Sequence, residues 1–504
     1  MRPPTIPTLT LAVALALQGC ASAGQSWRAG PAGIAAEQQL RARMSSGQYG
    51  AALTDLNNKR IAPADALLRQ MYRGLIAVHA GQNELGARAL DRAWTIAYQR
   101  YTKRLSDGVQ SMVTGDGALP YDPGNAELLL VPYYGGLNWL ARNESTEAAV
   151  EARRMSALLA NESNSLPNAR FLGVMRYIAG VMFEVAGERN DADVAYRNAS
   201  ALLEGDLPGD TVPPDTAHGD VIVLIEDGFV ARPEPAALSF WVSRDEAALL
   251  ESDDATVRMN TYRTIDGRRG ISRDWAADSY RNVSMRWPLM SAVNPHAGQG
   301  VLGARATELP LPSEAGGGSR VTARVVGMSV SEAVRADFDR QQPGRIVRAL
   351  ARVAVRELSL KGAEGAFDVA GEILTSDDEP KGKRDKGDKG DKGDEKDDEE
   401  KSGNAGAVIG AAIIGAILLG IGLFVIHASS AILDQPDLRA WQLLPDRITV
   451  ARMRLPVGEH IVEVTRDGQA HSLGAVTVRR GQVTVLVHRW WPGAEPGVAA
   501  APEH

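Results

Sequence analysis

Hydrophobic and polar positions change period several times along this chain, and those changes divide it. After one base, Arg2, an apolar run from Leu9 to Leu17 ends at Leu17-Gln18-Gly19-Cys20. A base followed by a short greasy run is the layout of an export signal over residues 1–19, too short for a permanent membrane helix. Residues 20–33 are small, polar and broken by glycine and proline, which predicts a tether. From about Ile34 to Leu203 the chain is rich in Ala, Leu, Arg and Glu with few β-branched runs, which predicts a helical domain over 34–205. Gly115, Gly117, Pro120 and Pro123 predict a loop between Leu105 and Ala126.

A Pro-rich break, Leu207-Pro208-Gly209 to Pro213-Pro214, precedes a mixed β/α domain over 216–375. Its strand candidates are Val221–Ile225, Ala237–Val242, Asn282–Trp287 and Val321–Met328. A helix is expected from Ser331, with Glu332 close behind, carrying an apolar stripe of Ile346, Leu350, Val353 and Leu358. Arg345, Arg348, Arg352 and Arg356 share its other face and read as the wet side. Residues 376–404 repeat Lys-Gly-Asp and hold almost nothing apolar, so they are expected to be disordered.

Residues 405–427 are uncharged and Gly-rich. As a helix, Ala405 to Ile426 would be ~33 Å long, enough to cross ~30 Å of hydrocarbon. Gly406/Gly410, Ala411/Gly415 and Ala416/Gly420 have the spacing that lets helices touch in lipid. Against a span, His427, Asp434 and Asp437 follow it, while the bases Lys392, Lys396 and Lys401 precede it. A transmembrane helix and a helix buried in protein both stay open. Residues 437–491 are strand-like: Ile448–Arg454, His460–Arg466 turning at Asp467-Gly468, Val476/Val478, and the alternating Val483, Val485 and Val487. Residues 492–504 form a tail.

Composition narrows the classes. The chain has 504 residues, too many for one core. Net charge is −7 with no basic domain, which argues against a nucleic-acid partner. Cys20 is the only cysteine, so no disulfide forms within the chain and no zinc-thiolate site is offered.

Leu17-Gln18-Gly19-Cys20 resembles the lipobox of bacterial lipoproteins. The resemblance implies that the Cys20 thiol is acylated, with palmitate among the chains expected, and becomes the new N-terminus. Ala21, where an Asp would retain the protein in the inner membrane, implies the outer membrane facing the periplasm, with the inner membrane as the alternative.

Within 34–205, Gly74, Gly81, Gly86, Leu90 and Ala93 are matched in spacing by Gly180, Gly187, Ala192, Tyr196 and Ala199. A poorer third copy runs through Gly136, Asn143, Ala148, Ala152 and Met155. Small residues let helices cross closely, glycine permits the bend, and the large residue fills the groove. The pattern resembles the tetratricopeptide helix pair. It implies a superhelix whose concave groove holds a peptide or protein, possible lining residues being Glu147, Glu151, Arg153 and Arg154, against a plain bundle in which the small residues only pack.

Leu455-Pro456-Val457-Gly458-Glu459-His460 resembles the PEGA repeat of bacterial surface proteins and implies a small antiparallel β-sandwich. With Val150-Glu151-Ala152-Arg153-Arg154, Ile225-Glu226-Asp227-Gly228, Arg286-Trp287-Pro288 and Asp437-Leu438-Arg439-Ala440-Trp441…Leu444-Pro445, the whole chain resembles uncharacterised tetratricopeptide-containing lipoproteins of proteobacteria. The expected fold is therefore α+β and multidomain: helical superhelix, mixed middle domain, C-terminal sandwich.

Catalytic signatures are missing from the sequence. There is no His-Glu-x-x-His, Gly-x-Ser-x-Gly or Walker loop. Gly298-Gln299-Gly300-Val301-Leu302-Gly303 spells a dinucleotide loop but lacks a strand before it and a helix after it. The histidines are scattered, though His460, His471 and His488 could converge in the C-terminal unit. No catalytic, metal or cofactor residue is expected. The expected role is a non-enzymatic, lipid-anchored envelope scaffold binding protein partners through its helices. The alternatives are a subunit oligomerising through a transmembrane 405–426, and, more weakly, an envelope hydrolase.

Overall fold

The computed structural model describes residues 31–58, 65–101, 120–162, 168–243, 280–290, 301–308, 320–342, 345 and 436–491. The leader, Cys20, the 376–404 insert, the apolar run 405–427 and the tail lie outside them, as do Ile346, Leu350, Val353 and Leu358. No helix among the described residues is long and apolar enough to cross a membrane.

The chain is α+β. Its first part forms α1 (Pro31–Ser45), α2 (Tyr49–Asp55), α3 (Ala66–His79), α4 (Asn83–Tyr101), α5 (Asn125–Ala141), α6 (Ser145–Glu162), α7 (Ala169–Val185) and α8 (Arg189–Leu202). α3 pairs with α4, α5 with α6 and α7 with α8, and successive pairs stack. The carboxylate of Asp65 caps α3 by accepting from Leu67 N and Leu68 N, and Asn168 caps α7 by accepting from Phe171 N.

The pairs are held by the residues that the spacing singled out. A Cβ on Gly74 would lie 2.5 Å from Leu90 Cγ, and one on Gly180 would lie 2.7 Å from Tyr196 Cε1. Each glycine therefore admits the large side chain of its partner helix. Ala93 and Ala199 are fully buried. Gly81 and Gly187 end α3 and α7 at φ +66° and +78°, the left-handed conformation that releases a helix into a turn. Asn143 does the same for the middle pair at φ 57°. There Ala152 stands where Leu90 and Tyr196 stand in the other pairs. Met182 of α7 fills the space instead, within 2.4 Å of where a Cβ on Gly136 would be.

The strands are β1 (His218–Asp227), β2 (Pro233–Ser243), β3 (Tyr280–Met290), β4 (Leu302–Glu308), β5 (Arg320–Thr322), β6 (Arg324–Ser329), β7 (Arg447–Pro456), β8 (Gly458–Arg466), β9 (Gln469–Val478) and β10 (Val483–Trp490). A helix, α9, covers described residues 330–342 between β6 and the insert. Its cap is Ser329, whose Oγ accepts from Glu332 N at 3.1 Å, and not Ser331 as the sequence suggested. Ser331 instead accepts from Ala231 N at 3.0 Å.

One four-stranded sheet has the order β10-β1-β7-β6, a second β5-β4-β8-β9, and β2-β3 form a separate ribbon. β1 is buried over nine of its ten residues, as a strand covered on both faces must be. Ile222 and Leu224 face the helices and belong to the larger core. Val221, Val223 and Ile225 face the second sheet, against Met453, Leu455, Val462 and Val464. The architecture is three-layered: helices, first sheet, second sheet.

This layering corrects the expected C-terminal sandwich. The strands of 437–491 do not close on themselves. β7 and β10 enter the first sheet beside β1 and β6, while β8 and β9 enter the second beside β4 and β5. β10 also runs parallel to β1, so the unit is not purely antiparallel. The alternation of valines requires two different faces for the strand, and a strand from the middle of the chain supplies the neighbour.

Candidate functional site

The inner helices α3, α5 and α7 pack towards the first sheet, whereas α4, α6 and α8 keep an exposed face. The sheet-facing side of the helical layer is thus covered. Between it and the sheet runs a strap, residues 436–446, which turns at 442–443 and leads into β7.

The strap is gripped mainly by its backbone. Tyr72 Oη of α3 donates to Ala440 O at 3.0 Å and accepts from Gln442 N at 3.0 Å. Glu127 Oε1 of α5 accepts from Trp441 N at 2.8 Å. Arg41 of α1 donates to Gln442 O at 2.9 Å and to Val230 O at 3.0 Å. Arg489 of β10 donates to Leu443 O at 2.7 Å. Trp441, fully buried, meets the Tyr134 ring edge-on at 5.7 Å. Backbone groups taken from water must find partners, and here four elements supply them.

Behind the strap lie two buried polar clusters. In one, Glu226 of β1 accepts from Tyr133 Oη at 3.0 Å and pairs with Arg489 at 3.4 Å, with His79 at 3.5 Å. Burial pushes the Glu226 carboxyl up and holds the His79 imidazole well below its ordinary range. In the other, Arg452 of β7 reaches Glu184 of α7 at 2.9 Å and Asp220 of β1 at 2.9 Å. Asp220 and Glu226 share a face with Ile222 and Leu224. Charge within the apolar alternation of a buried strand was the signal available, but the strand expected from the sequence stops at Ile225, one residue short of Glu226.

Tyr121, Glu127, Asp337, Phe338, Arg345 and Arg439 line a cavity of about 40 Å³ where the strap enters. One water needs ~10–15 Å³ of such space, so the cavity has room for a few waters. Burial raises the Glu127 carboxyl. The Asp337 carboxylate occupies the place where a Cβ on Gly124 would go. Gly124 is the first cap of α5 and offers no side chain of its own.

The other sequence candidates are placed as follows. Glu151 is buried against Gly135 and pairs with Arg154 at 2.9 Å. Arg154 also reaches Asp91, and Arg153 reaches Glu188 at 2.5 Å. These residues staple neighbouring helix pairs; Glu147 is exposed. Burial lifts the Glu151 carboxyl to about 7. His471 and His488 stack with ring centroids 4.7 Å apart, and His488 is lowered to about 4 by burial and then by His471. His460 does not join them; its Nε2 lies 2.8 Å from Pro456 O. Trp490 plugs the second core, and Trp491 packs on the first beside His79 and Phe229. After Gly300 the chain enters strand β4 and not a helix, so the glycine loop has no helix N-terminus to offer a phosphate. Among the described residues no group of three or more His, Cys, Asp or Glu could hold a metal ion. No protein-family model matches this chain, and no curated protein or solved structure is similar to it.

Proposed function

We infer that this chain is a non-enzymatic scaffold of the bacterial cell envelope, held to a membrane by a lipid on Cys20 and built on tetratricopeptide-like helix pairs. The observation that carries the scaffold reading is the strap. Inner-face side chains from α1, α3 and α5 clasp a peptide segment through its backbone, a use of the kind of binding surface that stacked helix pairs create. Here that segment is the chain's own, residues 436–446. The surface left for a protein partner is the outer face of α4, α6 and α8, where Val150 and Val194 stand exposed at equivalent positions of two pairs.

The reading has two tests. Cys20→Ser should leave the protein without lipid and its leader uncut. A photoreactive residue at Val150 or Val194 should crosslink one protein partner in intact envelopes, while the same group at Val457, between β7 and β8, should not. A Cys20→Ser protein that still fractionates with membranes in processed form refutes the anchor; equal crosslinking at all three sites refutes the helical docking face.

A further inference from the structure

We propose that the fold stands end-on to the membrane, with the end of the first sheet at Asp227, Ser329 and Arg447 facing the lipid and the end at His218 and Pro456 facing away. This rests on the lipid-anchored reading above, with residues 405–426 taken as a second membrane-directed segment, and adds the surface that meets the bilayer.

Three observations place the connections to membrane-directed sequence at that end. First, β1 and β7 pair antiparallel with Asp227 opposite Arg447 and His218 opposite Pro456, which fixes two ends. The ten residues of β1 separate those ends by about 30 Å. Second, the segment containing the uncharged run 405–426 leaves after Arg345 and returns at Pro436. Arg345, Arg439 and Ala440 line one cavity, so departure and return lie side by side. Third, α1 points its N-terminus the same way. Arg41 bonds Val230 O, and Glu37, one turn earlier, lies 3.6 Å from Arg232. The neighbouring Pro233 lines the same cavity. Pro31 is then about 9 Å further along that axis.

The connectors are short. Cys20 is eleven residues from Pro31, a reach of at most about 40 Å. Ile426 is ten residues from Pro436, about 36 Å at most. With residues 405–426 also entering the membrane, two attachments leaving from one end would allow the fold much less rotation than a single lipid. Exposed beside this end are Leu289, 51% accessible, and Gln341. Gln342 Nε2 donates to Pro288 O at 2.8 Å, which ties α9 to that part of β3. At the far end Val457 is 47% and Val212 61% accessible.

Cys20 is the only cysteine, and acylation removes its thiol, so an introduced cysteine labels uniquely. The full-length lipidated protein carrying Leu289→Cys, Gln341→Cys, Val212→Cys or Val457→Cys is labelled with an environment-sensitive fluorophore. Each is reconstituted into phosphatidylethanolamine–phosphatidylglycerol vesicles containing headgroup-nitroxide lipid. Quenching at 289 and 341 at least threefold above that at 212 and 457 is expected. Uniform quenching, no quenching at any site, or stronger quenching at 212 and 457 in protein that floats with the vesicles overturns the orientation alone. Protein that fails to float with vesicles overturns the anchored reading and the orientation with it.

Discussion

Removing the Arg452 guanidinium tests whether helices and sheets form one cooperative unit. Arg452 joins three elements: it donates to Glu184 at 2.9 and 3.1 Å, to Asp220 at 2.9 Å, and to Tyr196 Oη at 3.3 Å. The three side chains of the ion pairs are 2%, 6% and 1% exposed for Arg452, Glu184 and Asp220. Breaking a buried pair by removing one partner costs about 3–5 kcal/mol, because the charge left behind is not hydrated. Arg452→Met leaves neither acid wholly bare. Arg454 still reaches Asp220 at 3.0 Å, and Arg189 still reaches Glu184 at 2.8 Å. The lower end, about 3 kcal/mol, is therefore expected, a large part of the ~5–15 kcal/mol that holds a domain together. Urea unfolding followed by far-ultraviolet circular dichroism, which reads mainly the helices, and by hydrogen exchange of the β1 and β7 amides, which reads the first sheet, should show both transitions moving together. A loss under about 1 kcal/mol, the size of an exposed pair, or a shift in one signal only, refutes the cooperative account.

Trp441→Ala should cost about 3–5 kcal/mol and expose the strap, read as new proteolytic cleavage within 436–446; an uncut, equally stable variant contradicts the clasp. Gly74→Ala should cost about 1–3 kcal/mol by overpacking, partly offset by ~1 kcal/mol of helix propensity. Its effect should be non-additive with Leu90→Ala in a double-mutant cycle; additivity would mean that the helices do not cross there. The Glu151 carboxyl, lifted to about 7 from an ordinary 4.5, binds its proton more tightly in the folded state. Stability should therefore fall as pH rises from about 4.5 to 7, by at most about 3 kcal/mol, and Glu151→Gln should flatten that slope in melts across the range. His488 shifts the other way, to about 4 from 6.5. The unfolded chain then binds the proton more tightly, so stability should fall as pH drops from 6.5 to 4. His488→Asn should remove that acid sensitivity; an unchanged profile would place the lability elsewhere.

Local chemistry made part of the fold legible. Gly74, Gly81, Gly180 and Gly187 could be picked from spacing alone, because close helix crossing and the left-handed turn are demands that few residues other than glycine meet. The Asp467-Gly468 turn was readable for the same reason, and both residues have positive φ, 51° and 81°. The strands of Val221–Ile225 and Ile448–Arg454 followed from β-branched runs and alternation. β4 was missed, since its Leu302–Glu308 alternation is built from Gly, Ala and Thr beside a glycine loop that drew attention to nucleotide binding. The third helix pair read poorly because Ala152 breaks the size pattern; only Met182, from the next pair, shows how the gap is filled.

What the sequence determined by itself was the kind of each segment and the positions where small residues are obligatory, since both depend on neighbours a few residues apart. Tertiary structure alone decided which surfaces meet. Alternation announces that a strand face is buried without naming what covers it, so β1 could not be assigned to β10 and β7, more than 200 residues away. Nor could Asp220 and Glu226 be matched with Arg452 and Arg489, because a charge in an apolar strand specifies a counter-charge but no address for it. The strap illustrates the same limit most sharply: the helix pairs were readable, but the segment that packs on them arrives from the other side of the insert, chosen by three-dimensional packing rather than by any local pattern.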